Sequence, residues 1–268
     1  MSFEIRPLQA TTNKRLLKSV GVGNSWRRRE ASAPSGGVDA TASAEELARW
    51  IWRQADAVCF DVDSTVCTDE AIDSLAEFLG VGDRVAAFTR KAMGGGMSFR
   101  EALRERLGIM RPTLQQLQSY AMQNPPLLTP GIKELVRTLK RRGVQVHLVS
   151  GGFQQLILPV AELLGLPEEH VHANVLLFDH RGRYAGFDTE QPTSDSGGKA
   201  VVLAALKRQF GYRNLVMVGD GATDLETWPG AADSFVGFGG NVVREAVELG
   251  APWFARDFDE LRKELIEN

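Results

Sequence analysis

The residues of this 268-residue chain best suited to chemistry fall into three short polar clusters: Asp61-Val62-Asp63-Ser64-Thr65, Ser150-Gly151-Gly152 and Gly219-Asp220-Gly221-Ala222-Thr223-Asp224. Each alone has an ordinary explanation. Asp-x-Asp pairs arise by chance, and Ser-Gly-Gly or Gly-Asp-Gly makes a serviceable turn. Together they converge on phosphoryl transfer. A carboxylate such as Asp61 can act as a nucleophile and form an acyl phosphate. Asp63 can protonate a leaving alkoxide and later deprotonate water, an acid/base role worth roughly 10²–10⁴-fold in rate. Asp61 and Asp220 offer hard oxygen ligands that suit a shared Mg²⁺. Ser150 and the backbone N–H groups of Gly151 and Gly152 can hold phosphoryl oxygens without hindrance from side chains. Lys199, just after Gly197-Gly198, supplies a compact cation against carboxylate and phosphate charge. On its own Lys199 would read as a solvated lysine in a first helical turn.

These clusters need elements to place them. Ala57–Phe60 is a short apolar run ending abruptly in Asp61, and similar runs recur at Val144–Val149 and Leu215–Val218. Apolar runs bounded by polar residues are the pattern of buried parallel strands. Helical patterns lie between them, as at Ile132–Arg142 and Lys199–Phe210, and Ser43-Ala44-Glu45-Glu46 has the form of a helix start. Alternating strands and helices predict a Rossmann-like doubly wound α/β sheet, in which ligands bind beyond the carboxyl ends of the strands. Two segments break the alternation. Residues 68–124 read as successive amphipathic helices inserted after the first strand, and Ala173–Phe187 reads as a hairpin turning at Asp179–Gly182. The expected organisation is an N-terminal arm over 1–44, a core over 45–67 and 125–268, and a helical cap over 68–124.

Composition narrows the function classes. With 43% hydrophobic residues the chain can bury on the order of 70% of its unfolded surface and needs no disulfide or metal staple. A net charge of −3 argues against nucleic-acid binding by a basic face, and no run approaches a membrane span. The two cysteines, Cys59 and Cys67, are too few for a disulfide framework and read as inert thiols. His170 and His172 resemble a metal pair but lack an evident third ligand, so they read as structural. Up to Ala44 the charge is +4, leaving about −7 for the rest. That Arg-rich, Ser/Thr-rich, acid-poor segment fits either an organelle transit peptide or a solvated arm.

Asp-Val-Asp-Ser-Thr, Ser-Gly-Gly, the lone Lys199 and Gly-Asp-Gly-Ala-Thr-Asp resemble the four motifs of the haloacid dehalogenase superfamily. From about Ala55 onward the chain more narrowly resembles the phosphoserine phosphatases. The stretches Ala92-Met93-Gly94-Gly95, Glu105-Arg106-Leu107, Leu128-Thr129-Pro130-Gly131-Ile132, Tyr184-Ala185-Gly186-Phe187-Asp188 and Ser196-Gly197-Gly198-Lys199 match that family. The resemblance covers some four-fifths of the chain. It implies that Asp61 is the nucleophile and Asp63 the general acid/base. It implies Mg²⁺ held by Asp61, the backbone carbonyl of Asp63 and Asp220, with Asp224 in support. It implies phosphate contacts from Ser150, Gly151, Gly152 and Lys199, with Thr223 at the substrate. From the cap, Glu70 would meet the substrate ammonium and Arg106 its carboxylate, while Met93 and Gly94 line the closed pocket. A zwitterion needs one anion and one bidentate donor, and the planar fork of arginine suits a carboxylate.

The implied reaction is hydrolysis of O-phospho-L-serine to L-serine and phosphate through an aspartyl phosphate, the last step of L-serine synthesis. The partner is then a small molecule, with neither nucleic acid nor membrane, and the protein a monomer or homodimer. The setting is a plastid or mitochondrion if the arm is a transit peptide, and otherwise the cytoplasm. Three rivals stand beside this reading. A P-loop fails because Thr193 stands where the first glycine belongs and Ala200 where the Ser/Thr does. A receiver-type phospho-accepting domain also uses an aspartyl phosphate, but it needs no cap and no base to discharge it. Another phosphatase or phosphotransferase of the same superfamily would differ in the cap, at Glu70 and Arg106.

Overall fold

The computed structural model describes residues 42–92 and 96–266. The transit-peptide or solvated-arm reading of 1–44 therefore falls, except for its last three residues, outside the described residues, as do Met93 and Gly94.

The first helix, α1 (Ala44–Arg53), starts where Ser43 and Glu46 form a reciprocal capping box. It leads into β1 (Ala57–Phe60), whose four residues are all buried. Beside β1 lie β2 (Gln145–Phe153) and β6 (Leu215–Gly219); β3 (Val171–Asn174), β7 (Ser234–Phe238) and β8 (Trp253–Ala255) complete one sheet in the order β3-β2-β1-β6-β7-β8. Every pairing in it is parallel. This is the doubly wound α/β architecture expected from the alternating pattern.

Alternation along each strand divides the core into two layers. Val58 and Phe60, with Val216 and Val218, face a cluster completed by Trp52, Leu135 and Phe258. Ala57 and Cys59, with Leu215 and Met217, face the opposite cluster with Leu203, Leu206 and Val247. Helices therefore cover both faces, which is why the central strands carry no polar alternation.

Between β1 and β2 run α2 (Ala71–Phe78), α3 (Gly82–Ala92), α4 (Phe99–Met110), α5 (Leu114–Gln123) and α6 (Ile132–Arg141). Helices α2 to α5 share an apolar cluster of their own around Leu75, Leu103, Leu107 and Leu117. Phe153 of β2 and Leu156, Leu176 and Phe187 from beyond it join that cluster, so the inserted helices are seated on the body of the protein.

Two details differ from the sequence expectation. Strand β2 does not stop at Val149 but continues through Ser150-Gly151-Gly152 to Phe153. Its register with β3 shifts between Val149 and Phe153, so this cluster projects from a bulge within the strand. Ala173 and Asn174 end β3, and the hairpin proper is the separate pair β4 (Leu176–Phe178) and β5 (Tyr184–Phe187). Its tip meets the inserted helices, with Leu114 N–H donating to Gly182 O at 2.9 Å.

Candidate active site

The three polar clusters meet at the carboxyl edge of β1, β2 and β6, where parallel strands all deliver their ends to one side. Their residues Asp61, Asp63 and Asp220 line a cleft of about 190 Å³ together with Glu70, Arg106 and Lys199. Gly151, Gly152 and Thr223 also border it. Ser150 and Asp224 lie directly behind, fully buried.

Asp61 leaves β1 with its N–H on Val218 O at 2.9 Å, and its carboxylate accepts the Val62 N–H at 2.8 Å. Lys199 Nζ sits between two carboxylates, 2.8 Å from Asp61 Oδ1 and 2.7 Å from Asp224 Oδ1. Burial alone would lower the lysine, but Asp224 and Asp61 outweigh it and hold the ammonium protonated, above its usual range. Asp224 also accepts the Gly221 N–H at 3.0 Å. Its packing requires Gly219, where an added Cβ would stand 2.3 Å from the Asp224 carboxyl carbon.

Asp63 is tied to the inserted helices. Its Oδ1 accepts the Ala71 N–H at 2.9 Å, the first backbone donor of α2, for which Glu70 supplies no side-chain cap. Burial and the charge of Asp61 push the Asp63 carboxyl up to about 7, against the opposing pull of that N–H. Between Asp63 and α2 the chain passes through Ser64 at φ 55°, a left-handed conformation uncommon for a non-glycine. The strain is held locally: Ser64 N–H donates to Asp69 O at 3.2 Å and its hydroxyl to Glu70 Oε1 at 2.9 Å.

Arg106 enters the cleft from α4 with its Nε buried and without a hydrogen-bond partner. Burial draws its pKa below the usual value, although the Asp73, Glu70 and Asp63 charges oppose this; the guanidinium stays charged. Burial raises the Glu70 carboxyl, and Ser64 and Arg244 oppose that shift.

Arg244 escaped the sequence reading. It follows β7, and its Nε donates to Asp220 Oδ2 at 2.7 Å while Nη2 donates to Glu70 Oε1 at 3.1 Å. The other Asp220 oxygen accepts from Thr65 Oγ1 at 3.0 Å. The strand-end rule would have pointed to the segment carrying Arg244 had it been applied to β7. Phe99, at the start of α4, also borders the cleft and had no sequence signal beyond its apolar helix position.

Among the described residues, one group of three potential ligand side chains gathers within 4.8 Å: Asp61, Asp220 and Asp224. All-oxygen donors of this kind suit a hard divalent cation. His170 and His172 form no such group. They stack and hydrogen-bond around a third histidine, His147, whose Nδ1 lies 3.3 Å from His172 Nε2. Both thiols are buried; burial raises Cys59 far above its usual value and pushes Cys67 up to about 12.

Residues 55–228 match the family model described as haloacid dehalogenase-like hydrolase. A human phosphoserine phosphatase is 51% identical over 219 residues, covering 82% of this chain and 97% of that protein. The chain belongs to the phosphoserine phosphatase family. A chloroplastic phosphoserine phosphatase of Arabidopsis thaliana is 50% identical over 79% of this chain and 72% of its own length. In structure, a phospho-aspartyl intermediate analogue of a phosphoserine phosphatase superposes with a TM-score of 0.67 at 28% identity, covering 78% of this chain and 98% of that one. Family membership separates this cleft from a receiver domain or a P-loop, and no described helix is long and apolar enough to cross a membrane.

Proposed function

We infer that the cleft hydrolyses O-phospho-L-serine to L-serine and phosphate through an aspartyl phosphate on Asp61. The observation that carries this reading is that two sets of groups line one cavity: Asp61 and Asp63 with Lys199, and Glu70 with Arg106, whose Nε has no hydrogen-bond partner among the described residues.

In the first half-reaction an Asp61 carboxylate oxygen bonds to phosphorus as the bond from phosphorus to the serine oxygen breaks. Asp63, in its carboxylic acid form, gives its proton to that oxygen. In the second, Asp63 as carboxylate takes a proton from water, whose oxygen bonds to phosphorus as the Asp61 acyl phosphate breaks. A carboxyl raised to about 7 can serve both steps. Lys199 offsets charge on the phosphoryl oxygens and on Asp61, and Gly151, Gly152 and Ser150 hold those oxygens. Glu70 receives the ammonium and Arg106 the carboxylate, with Met93, Gly94 and Thr223 completing the substrate contacts. Asp61, Asp220 and the Asp63 carbonyl would hold Mg²⁺, which supplies charge neutralisation at the phosphoryl group. Asp224 positions Lys199.

In this reading 68–124 form the cap that closes over the cleft, and 45–67 with 125–268 the catalytic body. The Arg-rich segment 1–44 and the chloroplastic relative support a plastid address, which fusion of residues 1–44 to a fluorescent protein would test. A cytosolic signal would overturn it.

The deciding experiment is phosphate release from O-phospho-L-serine and from p-nitrophenyl phosphate, with and without Mg²⁺, for the unsubstituted protein and Asp61→Asn. Mg²⁺-dependent preference for phosphoserine, abolished in a variant with an unchanged circular dichroism spectrum, is expected. Retained turnover by Asp61→Asn would mean a different nucleophile. A long-lived phosphoenzyme would favour a phospho-accepting role.

A further inference from the structure

We propose that Asn174 is a positioning residue that sets the geometry of the phosphate cradle by joining its two halves. The proposal rests on the assignment of Ser150–Gly152 and Lys199 to that cradle. Asn174 does not line the cleft, and its side chain bonds to Gly151 O and Thr193 Oγ1 rather than to the reacting groups.

The need for such a residue comes from the bulge in β2. Leu148 and Val149 pair with Val171 and His172, and pairing resumes at Phe153 with Asn174. Strand β2 thus carries two more residues than β3 over this interval, and ladder bonds cannot serve all of its backbone groups. Asn174, 0% exposed, fills the gap with its side chain: Nδ2 donates to Gly151 O at 2.7 Å. A buried amide without partners would be costly, and this one is also used at its other end. Its Oδ1 accepts from Thr193 Oγ1 at 2.9 Å.

Each bond reaches one half of the cradle. Gly151 O and Gly152 N–H belong to one planar peptide, so holding the carbonyl fixes the direction of the N–H. That N–H donates to Ser150 Oγ at 2.8 Å, so the orientation of this peptide also sets that of the serine hydroxyl. On the other side Thr193 belongs to the turn Pro192–Ser194. Helix α7 (Gly198–Phe210) begins against that turn, where a Cβ on Gly198 would stand 1.8 Å from Pro192 O. The next residue is Lys199. One amide therefore sets the distance between the bulge donors and the lysine.

The phosphoryl group is common to every substrate, so the signature differs from that of a cap residue. The assay is inhibition of p-nitrophenyl phosphate turnover by inorganic phosphate, with turnover of both substrates and melting temperature measured alongside. Asn174→Ala is expected to raise the phosphate inhibition constant about ten-fold, roughly the loss of one strong hydrogen bond. It should lower kcat/KM by the same factor on phosphoserine and on the aryl phosphate. Thr193→Val, nearly isosteric, should shift both in the same direction by less. Asn174→Asp keeps the acceptor for Thr193 but sets a carboxylate oxygen against Gly151 O. Its deficit relative to the unsubstituted protein should shrink as pH falls and the protonated carboxyl becomes a donor.

A lowered melting temperature with an unchanged inhibition constant in all three variants would overturn the proposal and leave Asn174 a packing residue. Loss confined to phosphoserine would also overturn it. Ser150→Ala separates the two levels. If it raises the inhibition constant and Asn174→Ala does not, only the positioning role falls. If Ser150→Ala leaves the constant unchanged, the cradle assignment falls and the proposal with it.

Discussion

Asp63 and Arg106 show how much of this site is made by burial. In water a carboxyl would be ionised at neutral pH; burial beside Asp61 brings Asp63 to about 7. Arg106 carries its charge into the cleft with Nε unpartnered, a cost that a bound carboxylate would offset. Arg106→Ala should therefore cost about 2–4 kcal/mol of transition-state binding, roughly 30- to 10³-fold in kcat/KM for phosphoserine. Turnover of p-nitrophenyl phosphate, which has no carboxylate, should change little. Equal losses on both substrates would refute the clamp. Asp61, Asp63 and Asp220 were legible in the sequence because each follows an apolar strand within three residues. Arg106 became legible only through the family motif around it, since an arginine on a helix is otherwise a solvated one.

At the scale of elements, one arginine ties α4 to the body through several polar contacts. Arg100 of α4 donates from Nη2 to Thr189 O at 3.2 Å and to Ser194 Oγ at 3.1 Å, and lies 3.3 Å from Asp195 Oδ2. Arg100 and Asp195 are partly exposed, so their ion pair is worth at most ~1 kcal/mol. Arg100→Ala should raise KM for phosphoserine by up to about five-fold, that same energy, with kcat nearly unchanged. A fall in kcat without a change in KM would show that the link does more than seat α4. Helix α1 is bound differently. Trp52 is fully buried, its Nε1 donates to Leu261 O at 3.0 Å, and it meets Trp253 edge-on at 6.1 Å. Trp52→Ala should cost ~3–5 kcal/mol in urea unfolding without touching the cleft. Strands β1, β2 and β6 and helix α1 were readable from apolar runs and a capping box. The extension of β2 through the bulge was not, because its pairing depends on β3.

For the whole molecule, the histidine cluster sets an acid limit. Burial pushes His147 down to about 2 and His172 to about 4, and His170 adds to both shifts. His147 also shares a hydrogen bond of 3.2 Å with the Tyr212 hydroxyl, and Cys59 is its register partner on β1. Above about 6.5 these histidines are neutral in both folded and unfolded chains. As pH falls below that, the unfolded chain takes up protons that the folded one refuses, so stability rises with pH across this window. The unfolding free energy from urea titration should drop from about pH 6.5 toward 4, by at most ~1.4 kcal/mol per unit for each histidine. His147→Leu should flatten that slope, and an unchanged slope would assign the acid limit to other groups.

Read without coordinates, the chain already determined its fold class, its three strand-end clusters and, through its motifs, its family. Those features are local: a strand is an apolar run, and the residue after it is presented at the sheet edge wherever the strand lies. Tertiary structure alone decided what surrounds them. Arg244 reaches Glu70 across 174 positions of sequence, Asn174 reaches Gly151 across 23, and His147 meets His172 across 25. Contacts made by folding distant segments together follow no period along the chain. The groups that hold the chemistry in place become visible only when the sheet is assembled.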